Sequence, residues 1–164
     1  MDKTSASVDI SKFPRLQQET NYYCVPASLL AILKYHNNNL AYAQSDLFHL
    51  MNDNPSFGAV KNLSIDGFDF DIKYPSGFTN EAFINWINNI KAEIEYKRPV
   101  AIAFRESNNQ AHIRVALAYD ENCFTLFDPA TTNFEKYYFY QAEADFIEDN
   151  RCFDILITKY VTKS

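Results

Sequence analysis

The chain has 164 residues, with 15 basic and 21 acidic side chains, a formal net charge of −6 and 47% hydrophobic content. That length predicts one domain, and the apolar fraction excludes wholesale disorder. The acidic balance and the lack of any basic block argue against a protein that grips nucleic acid by charge.

Apolar runs such as residues 25–33 and 99–104 fall well short of the roughly 20 residues a membrane helix needs, so no membrane span is expected. The first twenty residues show neither a basic start nor an apolar core. No secretory leader is therefore read, and the cytoplasm is the default compartment, export without a cleavable signal aside. Cys24, Cys123 and Cys152 show no CxxC spacing, and His36, His49 and His112 show no HxxxH spacing. Neither a disulfide framework nor a metal site is expected, and no cofactor is implied. Oligomeric state is not legible.

In chain order, 1–164 reads as a single domain with residues 1–12 as a polar, flexible arm. A buried helix is predicted from Val25 to Tyr35, with Pro26 in its first turn, where a missing N–H costs nothing. A shorter helix is predicted over Gln44 to Met51, capped by Ser45. Residues 53–78 hold all three glycines and short alternating pieces such as 68–72, which predict a loop-rich stretch with one or two short strands. From Thr79 to about Tyr96 the residues Phe83, Trp86, Ile87, Ile90 and Ile94 form one helical stripe, read as core.

The period then shortens. Pro99–Arg105, His112–Tyr119, Cys123–Asp128, Phe134–Tyr140 and Cys152–Lys159 read as strands, and their close spacing favours antiparallel hairpins over crossovers. The fold class is α+β, with N-terminal helices packed against a C-terminal antiparallel sheet.

Three stretches carry chemistry: Gln18 to Ser28, Ala111-His112-Ile113, and Phe127-Asp128-Pro129. Cys24 lies where a loop enters the first helix, and the positive end of a helix favours thiolate over thiol. His112 opens an apolar strand, which can hold the ring as a general base and acid. Asp128 ends a neighbouring strand, where its carboxylate can fix the tautomer of that ring. Gln18, six residues before the thiol, can fold back as an oxyanion donor beside the Cys24 N–H. Plainer roles are expected elsewhere. Cys123 and Cys152 are read as buried thiols and His36 and His49 as meeting carbonyls or solvent. The run 137–140 is divided between core and rim.

The arrangement of Gln18, then Tyr23-Cys24-Val25-Pro26-Ala27-Ser28, then His112, then Asp128-Pro129 resembles the papain-like cysteine peptidases of the C39 and C39-like kind, the bacteriocin-processing peptidase domains among them. The resemblance runs from about Phe13 to Lys159. It implies a papain-like fold with helices on one side of an antiparallel sheet and a peptide or protein substrate. It further implies Cys24 as nucleophile, His112 as base and acid, Asp128 as orienter and Gln18 as oxyanion donor. Val25 and Ala111 stand where the family usually has glycine, and a β-branched residue after the nucleophile is expected to narrow the cleft. Deamidase or acyltransferase chemistry uses the same covalent step. A silent peptide-binding domain is the alternative from another class.

Overall fold

A computed structural model describes residues 4–60, 63–105, 111–148 and 152–160, without the side chains of Phe57, Ala111 and 152–160. Helix α1 (Cys24–His36) is buried on almost every side from Val25 to Leu33, as its unbroken apolar run requires, and the Asn37 N–H closes it on the Leu33 carbonyl. Helix α2 (Gln44–Leu50) starts one residue before the expected cap. The Asp46 carboxylate takes the Ala43 N–H at 2.7 Å, so Ser45 is already inside the helix.

Helix α3 (Asn80–Glu95) begins at Thr79, whose hydroxyl accepts from the Ala82 N–H. It ends with Lys97 in the left-handed region, where the Arg98 N–H returns to the Glu93 carbonyl and the Lys97 N–H to Ile94. Its stripe of Phe83, Trp86, Ile87, Ile90 and Ile94 is buried as predicted.

The strands are β1 (Ala6–Ser7), β2 (Ser64–Ile65), β3 (Phe68–Lys73), β4 (Val100–Arg105), β5 (Ala111–Tyr119), β6 (Cys123–Phe127), β7 (Phe134–Tyr138) and β8 (Cys152–Tyr160). They form one antiparallel sheet in the order β2-β3-β8-β4-β5-β6-β7. The β2–β3 hairpin turns through Asp66 and Gly67, both at positive φ, which suits a two-residue turn that matches strand twist. At the other end of the chain, β1 pairs with β5 beyond the point where β4 stops, and Val8 is buried in the core. Residues 6–8 of the arm are thus tied to the sheet.

Helices cover both faces of this sheet rather than one. Ala101 and Ala103 of β4 and Ile113, Val115 and Leu117 of β5 pack with α1, while Val100, Ile102 and Phe104 pack with α3. A strand buried at every position from Val100 to Phe104 demands apolar partners on both sides. The strand expected to reach Tyr140 stops at Tyr138. Phe139, Ala142 and Phe146 recur at helical spacing and join the α3 cluster, so helix α4 (Phe139–Glu143) and a π-helical turn (Ala144–Glu148) form there. Tyr138 and Tyr140 stay exposed and stack on each other, while Phe139 packs edge-on against Phe124.

Candidate active site

Cys24 is the first residue of α1, partly exposed and not in a disulfide. Tyr23, the preceding cap residue, makes no side-chain cap bond, and the first turn of α1 holds no carboxylate. The positive end of the helix, with first-turn N–H groups that no helical carbonyl can reach, is therefore left to act on the thiol. Tyr22 and Tyr23 pack edge to face, both against Phe48 of α2, which braces the turn into the helix.

His112 faces this thiol from the start of β5. Its Nε2 lies 2.7 Å from the Asp128 carboxylate, and the Cys24 side chain is near enough to help raise the pKa of the ring. With Nε2 engaged by Asp128, Nδ1 is the nitrogen left for sulfur. Burial and the Arg114 charge push the ring toward neutrality, but the hydrogen bond to Asp128, the Cys24 side chain and the carboxylate charge outweigh them. The pKa of His112 rises from 6.5 to about 9. Burial works against the charge on Asp128 too. Bonds from His112 and the Ala130 N–H, with the nearby His112 and Arg114 charges, still hold its carboxyl below the ordinary carboxylate range. The result is a ring inclined to hold its proton at neutral pH, set between the Asp128 carboxylate and the Cys24 side chain.

Asp128 is 5% exposed and sits at the head of a turn closed by the Asp128 N–H on the Asn133 carbonyl and by the Thr132 N–H on the Asp128 carbonyl. Residues 15–18 dock on this turn. Arg15 donates to the Thr132 carbonyl, Gln17 Nε2 to the Ala130 carbonyl at 3.2 Å, and the Gln18 N–H to the Pro129 carbonyl at 2.9 Å. Gln18 is thereby tied beside Asp128, with its side-chain N–H donated to the Thr20 carbonyl at 3.0 Å and its Oε1 buried without a partner. The structure bonds His112 to Asp128, sets Cys24 beside the same ring and fastens Gln18 to the residue after Asp128.

Two further contributors have no motif in the sequence. Arg114 reaches toward the second oxygen of Asp128 at 3.8 Å and toward Glu135 at 3.3 Å, and Gln44 holds the Gln18 loop through its amide. Val25 does not enter the cleft: it is 3% exposed and packed in the α1 core, so the expected narrowing by its side chain does not occur. The side chain of Ala111 lies outside the described residues.

The Nε2 of His36 is buried without a hydrogen-bond partner. The ring stacks on Phe68, and burial, followed by the Arg98 and Lys12 charges, lowers its pKa to about 4. His49 is exposed to solvent, as expected, and pairs with Asp53 at 2.5 Å. Cys123 is a buried free thiol, and the Cys152 side chain lies outside the described residues. Among the described residues no group of three or more His, Cys, Asp or Glu is arranged to hold a metal ion, and no helix is long and apolar enough to cross a membrane.

The model of the Peptidase C39-like family matches residues 10–151, most of the chain and all four of Gln18, Cys24, His112 and Asp128. The chain belongs to that family. Among solved structures, a C39-like peptidase from Bacillus anthracis is similar at 16% identity and a TM-score of 0.63, over 98% of this chain and 100% of that one. The peptidase domain of Streptococcus ComA, a bifunctional ABC transporter of a quorum-sensing pathway, is similar at 15% identity and a TM-score of 0.58, over 90% and 97%. Both likenesses establish the fold, which is the papain-like architecture of C39-like peptidase domains. A search of curated proteins finds no significant match.

Proposed function

We propose that this C39-like domain is a cysteine peptidase that cleaves a peptide or amide bond through a thioester on Cys24. With its proton held on His112, the Cys24 sulfur attacks the carbonyl carbon, and the carbonyl electron pair moves to oxygen, where the Gln18 amide and the Cys24 N–H hold the developing charge. Collapse of this intermediate breaks the C–N bond, and the leaving amine takes the proton of His112. Water then gives a proton to His112 and attacks the thioester, releasing the acid and returning the sulfur and the protonated ring to their starting state. Asp128 keeps the ring in place through both steps.

One observation carries the reading. His112 is held through Nε2 by Asp128 at 2.7 Å beside the Cys24 side chain, with its pKa raised to about 9. That arrangement keeps a proton on the ring for the leaving amine at neutral pH. A silent peptide-binding domain has no use for it.

The deciding experiment incubates a peptide library with the wild type and with Cys24→Ala and reads products by mass spectrometry. New peptide termini that appear only with the wild type are the expected result. Deamidated or acyl-transferred products of unchanged length would replace hydrolysis by the related chemistry. Peptides retained without any product would leave a binding domain.

A further inference from the structure

Resting on the reading of Gln18 as oxyanion donor, we propose that Gln44 is its positioning residue: a buried amide on α2 that clamps both peptide groups flanking Gln18 and so aims its side chain. Gln44 is 4% exposed and opens α2. Its Nε2 donates to the Gln17 carbonyl at 2.8 Å, and its Oε1 accepts from the Glu19 N–H at 3.0 Å. The Gln17 carbonyl belongs to the peptide unit before the Gln18 Cα, and the Glu19 N–H to the unit after it. One side-chain amide therefore fixes both planes that meet at Gln18, which sets φ and ψ there and with them the direction of the Cα–Cβ bond.

The side chain of Gln18 cannot set this direction alone, since it has one hydrogen bond within its own loop and a buried oxygen with none. Pro129 supplies the third tether, accepting the Gln18 N–H on the side facing Asp128. Helix α2 is in turn seated from both ends. Its first turn is closed by Asp46 on the Ala43 N–H, Leu47 is fully buried, and Phe48 packs on Tyr23, the residue before the nucleophile. A single short helix thus braces the two oxyanion donors, one through Gln44 and the other through the Tyr23–Cys24 turn.

The clamp separates from ordinary packing because it acts on oxyanion binding and not on the thiol. Gln44→Met in the full chain keeps the side-chain length and removes both bonds. Three readouts are compared: amide hydrogen exchange at Gln18 and Glu19, alkylation of Cys24 by iodoacetamide, and kcat and KM on a peptide the wild type cleaves. The expected result is exchange at both amides faster by at least about 10-fold, alkylation within about 2-fold of wild type, and kcat lowered roughly 10- to 100-fold with KM within about 3-fold. Gln18→Ala with Gln44→Met loses no more than Gln18→Ala alone, because the clamp acts only through Gln18.

Gln44→Glu keeps the acceptor for Glu19 and loses the donor to Gln17, so it gives the same pattern at smaller size and serves if the methionine variant does not fold. Unchanged exchange at Gln18 and Glu19, unchanged kcat, or losses that multiply in the double variant would each overturn the clamp. A wild type that turns over no peptide would sink the peptidase reading instead, and with it the catalytic role of the clamp, while the exchange data still report whether Gln44 holds the loop.

Discussion

At the N-terminus of α3, the Thr79 hydroxyl accepts from the N–H of the third helical residue, Ala82, and Glu81 adds a carboxylate to the first turn. At the N-terminus of α1, Tyr23 makes no cap bond, the third helical residue is Pro26, which has no N–H to cap, and no carboxylate is present. The first arrangement neutralises the helix end and stabilises the fold. The second leaves the positive end open beside Cys24. The contrast separates a capped helix terminus from one whose donors are left unmet beside a thiol, and on the proposed function substitutions at the two ends are expected to fail in different ways.

The largest expected effect lies at the open end. His112→Ala lowers kcat by at least about 10⁴-fold in a peptide-cleavage assay, because base, acid and orienting contacts disappear together. It also removes a pH-dependent contribution to stability. The His112 pKa is raised from 6.5 to about 9, so its contribution is complete below 6.5 and is lost as pH rises through about 9; Asp128 is lowered from 3.8, so its contribution is complete above 3.8 and is lost as pH falls through the depressed value. The Tm gap between wild type and His112→Ala is therefore widest between these limits, near pH 5, and closes above pH 9 in calorimetric scans.

Asp128→Asn ranks next, with kcat lower by about 10²- to 10⁴-fold. It removes the carboxylate charge that raises His112 and leaves burial and the Arg114 charge, which lower it, opposed by the Cys24 contribution. The alkaline limb of the pH–rate profile, near pH 9 in the wild type, moves to lower pH.

At the α3 end the losses are in stability alone. Ile90→Ala, in a fully buried position, costs about 2–5 kcal/mol in denaturant unfolding, with activity per folded molecule unchanged. Thr79→Ala is the smallest, about 1 kcal/mol, again without effect on folded activity. A catalytic defect in Thr79→Ala would blur the contrast between the two helix ends.

Much of this was legible in the residues. The stripe from Phe83 to Ile94 and the apolar run of α1 bury themselves as their periods require, and the strand-opening histidine and strand-ending aspartate picked out in the sequence meet in the structure at 2.7 Å. What escaped depends on groups that carry no sequence signature. The docking of residues 15–18 runs largely through main-chain carbonyls of 129–132, which every residue possesses. Gln44 reads as an ordinary first residue of a helix until its amide is seen across the Gln18 loop. The aromatic run 137–140 alternates like a strand, and only Ala142 and Phe146, filling the α3 face, favour the helix that begins at Phe139. Coverage of both faces of the sheet is implied by β4 alone, where five consecutive buried residues leave no solvent side.

The most direct test of the central claim, that His112 and Asp128 activate the Cys24 thiol at an open helix end, is site-resolved alkylation near pH 7. Burial, with the adjacent Asp120 next in weight, pushes the Cys123 thiol up, so Cys123 is the internal reference. Cys24 is expected to react at least about 100-fold faster than Cys123, with His112→Ala abolishing most of that lead. Equal rates for the two thiols, or a lead that survives His112→Ala intact, would contradict it.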